Sequence, residues 1–331
     1  MFPKENDKIK VVLCANAGIS ITTPFARIWV DALHDQHEET FSDVTPAMWE
    51  TMKKHPDFRD PDVLVFTHRH DDHYSAGLLG EAMRLYPTAK VILPPAENTS
   101  GHSKGVEENT SGHSGGAIEH TSGHSGGAVE HTSGHSGGMV ENASRHLESA
   151  AKSAGAALQG TAETVREFYL CPDLPDGDVI YTIRTLHEGK AFTDVPHDAI
   201  LLETCGKRIL FTGDMRIDRE NAQRLAAEVS SLGTWQSLED AKTGADFGAN
   251  VEGGERYLFD AVFAAFPWET TTKGRTILRE VLRPRQTVLY HIPFKEDDLF
   301  GYRKGVEKAL TRGTEEENVS ALMEPFEAIV L

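Results

Sequence analysis

Short apolar runs rich in β-branched residues punctuate this chain, and polar turns or amphipathic stretches separate them. Val11–Cys14, Ile19–Thr23 and Arg27–Asp31 predict three strands joined by tight turns. Thr45–Lys54 predicts a helix with Thr45 as N-cap and Pro46 at its first position. Asp62–Phe66 reads as a buried strand, followed by a helix over Ser75–Leu85 and a strand over Ala89–Pro94. In the second half, Glu167–Cys171 and Val179–Arg184 read as strands. Ala199–Thr204 predicts a hairpin with Arg208–Thr212 through Cys205, Gly206 and Lys207. Then come a helix over Arg219–Val229, a loop-like stretch over 230–255, a strand over Tyr257–Phe266 and a helix over Lys273–Leu282. Last are a strand over Gln286–His291, a closing helix over 296–311 and an edge strand over Ala328–Leu331. The β–α–β order of the first half predicts a layered αββα sandwich, an α+β fold.

Residues 97–146 break this pattern. An eleven-residue unit recurs as Thr99-Ser-Gly-His102, Thr110-Ser-Gly-His113, Thr121-Ser-Gly-His124 and Thr132-Ser-Gly-His135. Glycine pairs oppose a helix, and apolar residues such as Ala117 and Ile118 are too few to bury a core. The segment is expected to be a disordered His/Gly/Ser-rich insert within one domain spanning 1–331. Its histidines (His102, His113, His120, His124, His131, His135 and His146) fit either metal capture or a low-complexity expansion with incidental metal affinity. After it, Leu147, Ala151, Ala154, Leu158, Ala162 and Val165 recur at helical spacing and predict an amphipathic helix.

Composition changes the picture in two places. The net charge of −18 argues against a protein that grips nucleic acid through its phosphates. Cys14, Cys171 and Cys205 lack the spacing of a disulfide framework or a cysteine zinc site. The polar start Met1–Lys8 lacks a signal-peptide core, and no apolar run reaches membrane-span length, so a cytoplasmic protein is expected.

The chemistry concentrates in Thr67-His68-Arg69-His70-Asp71-Asp72-His73, at the end of a predicted strand. His68 and His70 are two residues apart and project to one side of extended backbone. Asp72 and His73 can converge nearby only if the chain turns, and Asp71, Asp72 and Ser75 are turn and cap residues. Two ligand pairs side by side suit two metal ions, since imidazole and carboxylate are ordinary zinc ligands.

This His-x-His-x-Asp-His pattern resembles the signature of the metallo-β-lactamase fold superfamily. Ile209–Asp214 is similar to the superfamily's strand ending in Gly-Asp, and Gln286–His291 to its late strand ending in a histidine. Arg27–Asp31 resembles an early strand ending in a structural aspartate, and Asn16–Ile19 the opening hairpin of its broad-substrate hydrolase branch. The resemblance implies a four-layer αββα sandwich holding two divalent cations, zinc first, with manganese or iron also acceptable. It implies His68, His70 and His187 for one ion, Asp72, His73 and His291 for the other, and Asp214 bridging both. His187, followed by Gly189, fits the remaining histidine position; His197 is the alternative. Asp72 is also expected to orient the attacking hydroxide. Arg69, Tyr74, Arg216, Tyr290 and Lys295 are polar residues near strand ends that could contact substrate.

The implied activity is a metal-dependent hydrolase using a metal-bridging hydroxide on a small-molecule ester, lactone, amide or phosphodiester. The alternatives are a phosphodiesterase or nuclease, or a metal-binding protein whose His-rich loop captures metal. No membrane and no nucleic-acid partner are expected.

Overall fold

A computed structural model describes residues 8–35, 41–95, 164–170, 177–232, 257–312 and 318–331. All belong to one compact unit formed by the stretches 1–96 and 158–331. The repeat segment, the predicted helix after it up to Ala162, Cys171 and most of 230–255 lie outside the described residues; Val165, predicted as the last position of that helix, instead opens a strand paired with Ile183.

The strands are β1 (Lys10–Leu13), β2 (Ile19–Thr22), β3 (Arg27–Val30), β4 (Val63–Val65), β5 (Lys90–Ile92), β6 (Val165–Tyr169), β7 (Val179–Thr185), β8 (His197–Thr204), β9 (Lys207–Phe211), β10 (Ala261–Ala265), β11 (Thr287–Tyr290), β12 (Val319–Ala321) and β13 (Ala328–Val330). They form two mixed sheets, ordered β13-β1-β2-β3-β4-β5 and β12-β11-β10-β9-β8-β7-β6. The helices are α1 (Pro46–Met52), α2 (Ala76–Leu85), α3 (Arg219–Ser231), α4 (Pro267–Thr270), α5 (Thr272–Ile277) and α6 (Tyr302–Arg312).

Strand periodicity builds the layers. In β8, Ile200 and Leu202 join the core that includes residues of the first sheet, while Ala199 and Leu201 join a second core with Ala222, Leu225 and Val229 of α3. In β9, Ile209 and Phe211 face one way and Leu210 the other. Alternate side chains leave opposite faces of a strand, so a strand apolar on both faces must be covered on both. On the first sheet, Trp29 of β3 packs edge-on against Trp49 of α1 at 6.3 Å, and the Trp49 indole N–H donates to Glu81 of α2 at 2.8 Å. The result is the α+β, four-layer αββα sandwich.

Local signals set the element ends. Thr45 accepts from the Met48 N–H and Pro46 opens α1; Ser75 caps α2 by accepting from the Leu78 N–H. Three predicted elements are shorter than their patterns. The apolar run 257–266 yields β10 only over Ala261–Ala265. The helix predicted from 273 is α-helical only to Ile277 and widens into a π turn over Leu278–Leu282, ending at Arg283 with φ 44°. The closing helix begins at Tyr302 because Asp298 accepts from the N–H groups of Tyr302 and Arg303. The short, half-buried β12 carries too little pattern to predict; its parallel pairing with β11 makes it a strand.

Candidate metal centre

The site gathers at strand ends. β3, β4 and β5 run parallel, so the ends of β3 and β4 lie side by side and place Asp31 beside Thr67. After β4 the chain turns: the N–H groups of His73 and Tyr74 both donate to the His70 carbonyl, at 2.9 Å each. That turn brings the adjacent Asp72 and His73 to bear on one place. In the second sheet β9, β10 and β11 are parallel, which delivers Asp214 and His291 from neighbouring ends. The Gly213 N–H donates to the Tyr290 hydroxyl at 2.9 Å and ties those ends together. The Asp198 N–H donates to the Thr67 carbonyl at 2.8 Å and ties the second sheet to the first.

Two groups of donors result, His68, His70, His187 and Asp214, and Asp72, His73, Asp214 and His291; within each, the ligand atoms all lie within 4.8 Å of one another. Asp214 belongs to both, one oxygen to each. Its Oδ2 lies 3.8 Å from His68 Nε2 and 3.6 Å from His187 Nε2, and its Oδ1 lies 3.5 Å from His73 Nε2 and 3.6 Å from His291 Nδ1. Ligands about 2.1 Å from one tetrahedral ion stand roughly 3.4 Å apart, so this spacing suits a shared carboxylate between two cations.

The outer ring nitrogens set the tautomers. His73 Nδ1 donates to Asp31 Oδ2 at 2.9 Å. The Thr67 hydroxyl donates to the same oxygen at 2.6 Å and so accepts from His68 Nδ1 at 3.0 Å. His187 Nδ1 donates to the Glu188 carbonyl at 2.6 Å. Each proton on Nδ1 leaves a lone pair on Nε2. Nε2 of His68, His73, His187 and His197 is buried without a hydrogen-bond partner, and the first three lie 3.5–3.8 Å from the Asp214 carboxylate. Unpartnered buried polar atoms are rare and costly, and three aimed at one carboxylate fit a cation. The donor set therefore fits a dinuclear metal site.

Electrostatics agree with a cluster built around positive charge. Burial pushes the His73 imidazole down, but Asp72, Asp214 and Asp31 outweigh it and hold it well above the usual histidine range; the same three carboxylates would favour a cation in place of the proton on Nε2. Burial raises Asp72, yet His73 and His291 bring it down to about 2. Burial and His73 push His68 well below its ordinary value.

Left-handed backbone marks three non-glycine positions around the site: Asn16 at φ 43°, Asp31 at φ 48° and His291 at φ 58°. Asn, Asp and His tolerate this region better than other non-glycine residues. Asn16 donates through Nδ2 to the Asp72 carbonyl at 3.3 Å, and its own carbonyl accepts the His291 N–H at 3.2 Å. The opening hairpin thereby braces both halves.

His187, and not His197, stands in the ligand group. A backbone bridge between His187 and Met215 holds it beside Asp214. His197 is fully buried, with Nδ1 2.7 Å from the Thr185 hydroxyl and its ring 5.2 Å from that of His68. Of the residues considered for substrate, Arg69 donates twice to the Pro94 carbonyl and lies over the Tyr74 ring. Arg216 donates through Nε to the His187 carbonyl. Tyr290 is fully buried on Gly213, which corrects a substrate role for it. Lys295 is exposed. Sequence reasoning missed Thr67, although it directly precedes the motif, and the aromatic rings of Phe41 and Phe192. Phe41 stacks on His291 at 4.7 Å; Phe192 meets His70 at 4.8 Å and His187 at 5.3 Å.

No protein-family model matches the chain, and no curated protein matches it. Among solved structures, a mutant of the CmlA beta-hydroxylase superposes with a TM-score of 0.51 at 12% identity, covering 99% of this chain and 55% of that one. The chain thus spans about half the length of that relative. Igni18, described as a novel metallo hydrolase from the archaeon Ignicoccus hospitalis, gives 0.48 at 14% identity over 98% of each chain. YhfI of Bacillus subtilis, a metallo-beta-lactamase fold protein, gives 0.48 at 10% identity over 98% of this chain and 99% of its own. With two mixed sheets between helices and the His-x-His-x-Asp-His turn at the end of β4, the chain has the metallo-β-lactamase fold.

Proposed function

We propose that this protein is a metal-dependent hydrolase acting on a small-molecule ester, lactone, amide or phosphodiester. The observation that carries the reading is the set of buried, unpartnered Nε2 atoms of His68, His73 and His187 converging on Asp214. His68, His70 and His187 would hold one cation, Asp72, His73 and His291 the other, and Asp214 both. Imidazole and carboxylate favour zinc, and manganese or iron accept the same set. Two such cations supply an acidified water as nucleophile and a Lewis-acid contact for the carbonyl or phosphoryl oxygen.

The chain's own groups do the positioning. Asp72, with its carboxyl at about 2, stays ionised at neutral pH and serves as an acceptor that orients water, not as an acid. Asp31 and Thr67 fix the rings of His68 and His73.

The test is metal analysis of the purified chain, then a panel of esters, lactones, amides and phosphodiesters with added zinc or manganese, before and after chelation. Two equivalents of metal and chelator-sensitive turnover are expected. A fully loaded protein inert on every class would refute the hydrolase and leave a metal-holding scaffold. Activity confined to phosphodiesters would narrow the reading to a phosphodiesterase.

A further inference from the structure

The ligand set is not equally covered on all sides. The side chains of His68 and His73 are 0% exposed and that of His187 4%, whereas Asp214 keeps 19%. His70 is half-buried. The centre therefore opens to solvent past Asp214 and His70. Against that opening sits Phe192, 45% exposed, with its ring 4.8 Å from His70 and 5.3 Å from His187 at steep interplanar angles of 67° and 64°. A large exposed aromatic on a polar loop loses hydrophobic stabilisation that a buried position would give.

The backbone is shaped to put it there. Gly189 has φ 84°, and a Cβ at that position would stand 3.0 Å from Phe192 Cδ2. The Phe192 N–H donates to the Gly189 carbonyl at 3.2 Å, closing the turn that carries the ring back over the histidines. A Cβ at Gly189 would crowd the Phe192 ring in a backbone conformation that L side chains rarely adopt, so glycine suits this turn.

We propose that Phe192 is the apolar wall of a substrate subsite beside His70 and His187, which selects substrates carrying an aryl or bulky alkyl group next to the scissile bond. This rests on the hydrolase reading and adds the class of substrate. The exposed part of the ring is covered when such a group stacks on it, and offset or edge-to-face aromatic contacts favour a flat ring over a methyl group.

The experiment uses the zinc-loaded full chain and two chelating probes that differ only in this group, benzohydroxamate and acetohydroxamate, with binding read by calorimetry. Wild type is expected to favour benzohydroxamate by about ten-fold. Phe192→Ala should bring that ratio below about two-fold with metal content unchanged, and Phe192→Leu should keep part of it. An unchanged ratio in Phe192→Ala overturns the subsite. So does metal loss with the ratio unchanged, which would make the ring a cover for the centre. If doubly loaded wild type binds neither probe, the open dinuclear site itself is wrong and the subsite falls with it.

Discussion

Asp31→Asn is the smallest change that tests how the metal ligands are held. Asp31 is fully buried and accepts three hydrogen bonds, from the Thr67 N–H at 2.7 Å, the Thr67 hydroxyl at 2.6 Å and His73 Nδ1 at 2.9 Å. Asn keeps the volume and tolerates the positive φ, so the backbone is not disturbed. It cannot accept at both oxygens. With its carbonyl on the Thr67 N–H, its NH2 faces His73 Nδ1, and the His73 proton must move to Nε2. That nitrogen then offers a proton, not a lone pair, towards Asp72 and Asp214. With the amide flipped, the NH2 faces the buried Thr67 N–H and leaves a backbone donor unpaired, at about 1–3 kcal/mol. The lost charge-assisted bond to His73 is worth about 1.5–3 kcal/mol. Through RT ln K this is about ten- to hundred-fold in affinity for the cation that His73 holds. Chelator competition on the loaded chain measures it, and nitrogen NMR of His73 reads the tautomer. Both cations bound within two-fold of wild type would show that Asp31 does not set that ring.

Four further outcomes are expected. Gly213→Ala places a Cβ 2.7 Å from the Thr67 hydroxyl and 2.9 Å from His197 Nε2 at φ 49°; it should cost about 2–4 kcal/mol in thermal unfolding and lower metal content. His187→Ala should drop bound metal from two equivalents towards one, whereas His197→Ala should keep two; equal losses would mean that both histidines serve the centre. Chelation should destabilise the loaded chain by about 2.7 kcal/mol for each site held at a hundred times its Kd, read as a drop in Tm. Burial raises the Asp178 carboxyl against the pull of the Thr204 and Thr23 hydroxyls. Its stabilising share is therefore full below about pH 4 and lost as pH rises through the native value. Asp178→Asn should remove that part of the pH slope in urea unfolding above about pH 4, and identical slopes would refute it.

The fold was legible because its signals are local. Alternation in β8 and β9 shows both faces apolar, which already demands a covered sheet. Caps at Thr45 and Ser75 are chemical facts of single residues. The metal turn was legible for the same reason: His68 and His70 share a side in extended backbone, and Asp71 and Asp72 turn the chain. Asp214 and His291 are harder, since each is one residue at one strand end, and only the parallel order β9-β10-β11 places them together.

What stayed hidden depends on contacts between distant segments. Sequence spacing cannot separate His187 from His197, which flank one loop at the paired ends of β7 and β8. The bridge from His187 to Met215 puts His187 beside Asp214, and it exists only after the loop folds onto the residues following β9. Thr67 is no different from any threonine at a strand end until Asp31 arrives from β3 and makes its hydroxyl both a donor to a carboxylate and an acceptor from His68. Phe192 looks like a stray apolar residue in a polar loop until Gly189 turns it onto His70. The candidate ligands could be proposed from residue type and order. The groups that orient them, and the ring that meets what they bind, are properties of packing, because any hydroxyl or aromatic can take those roles once the backbone brings it within reach.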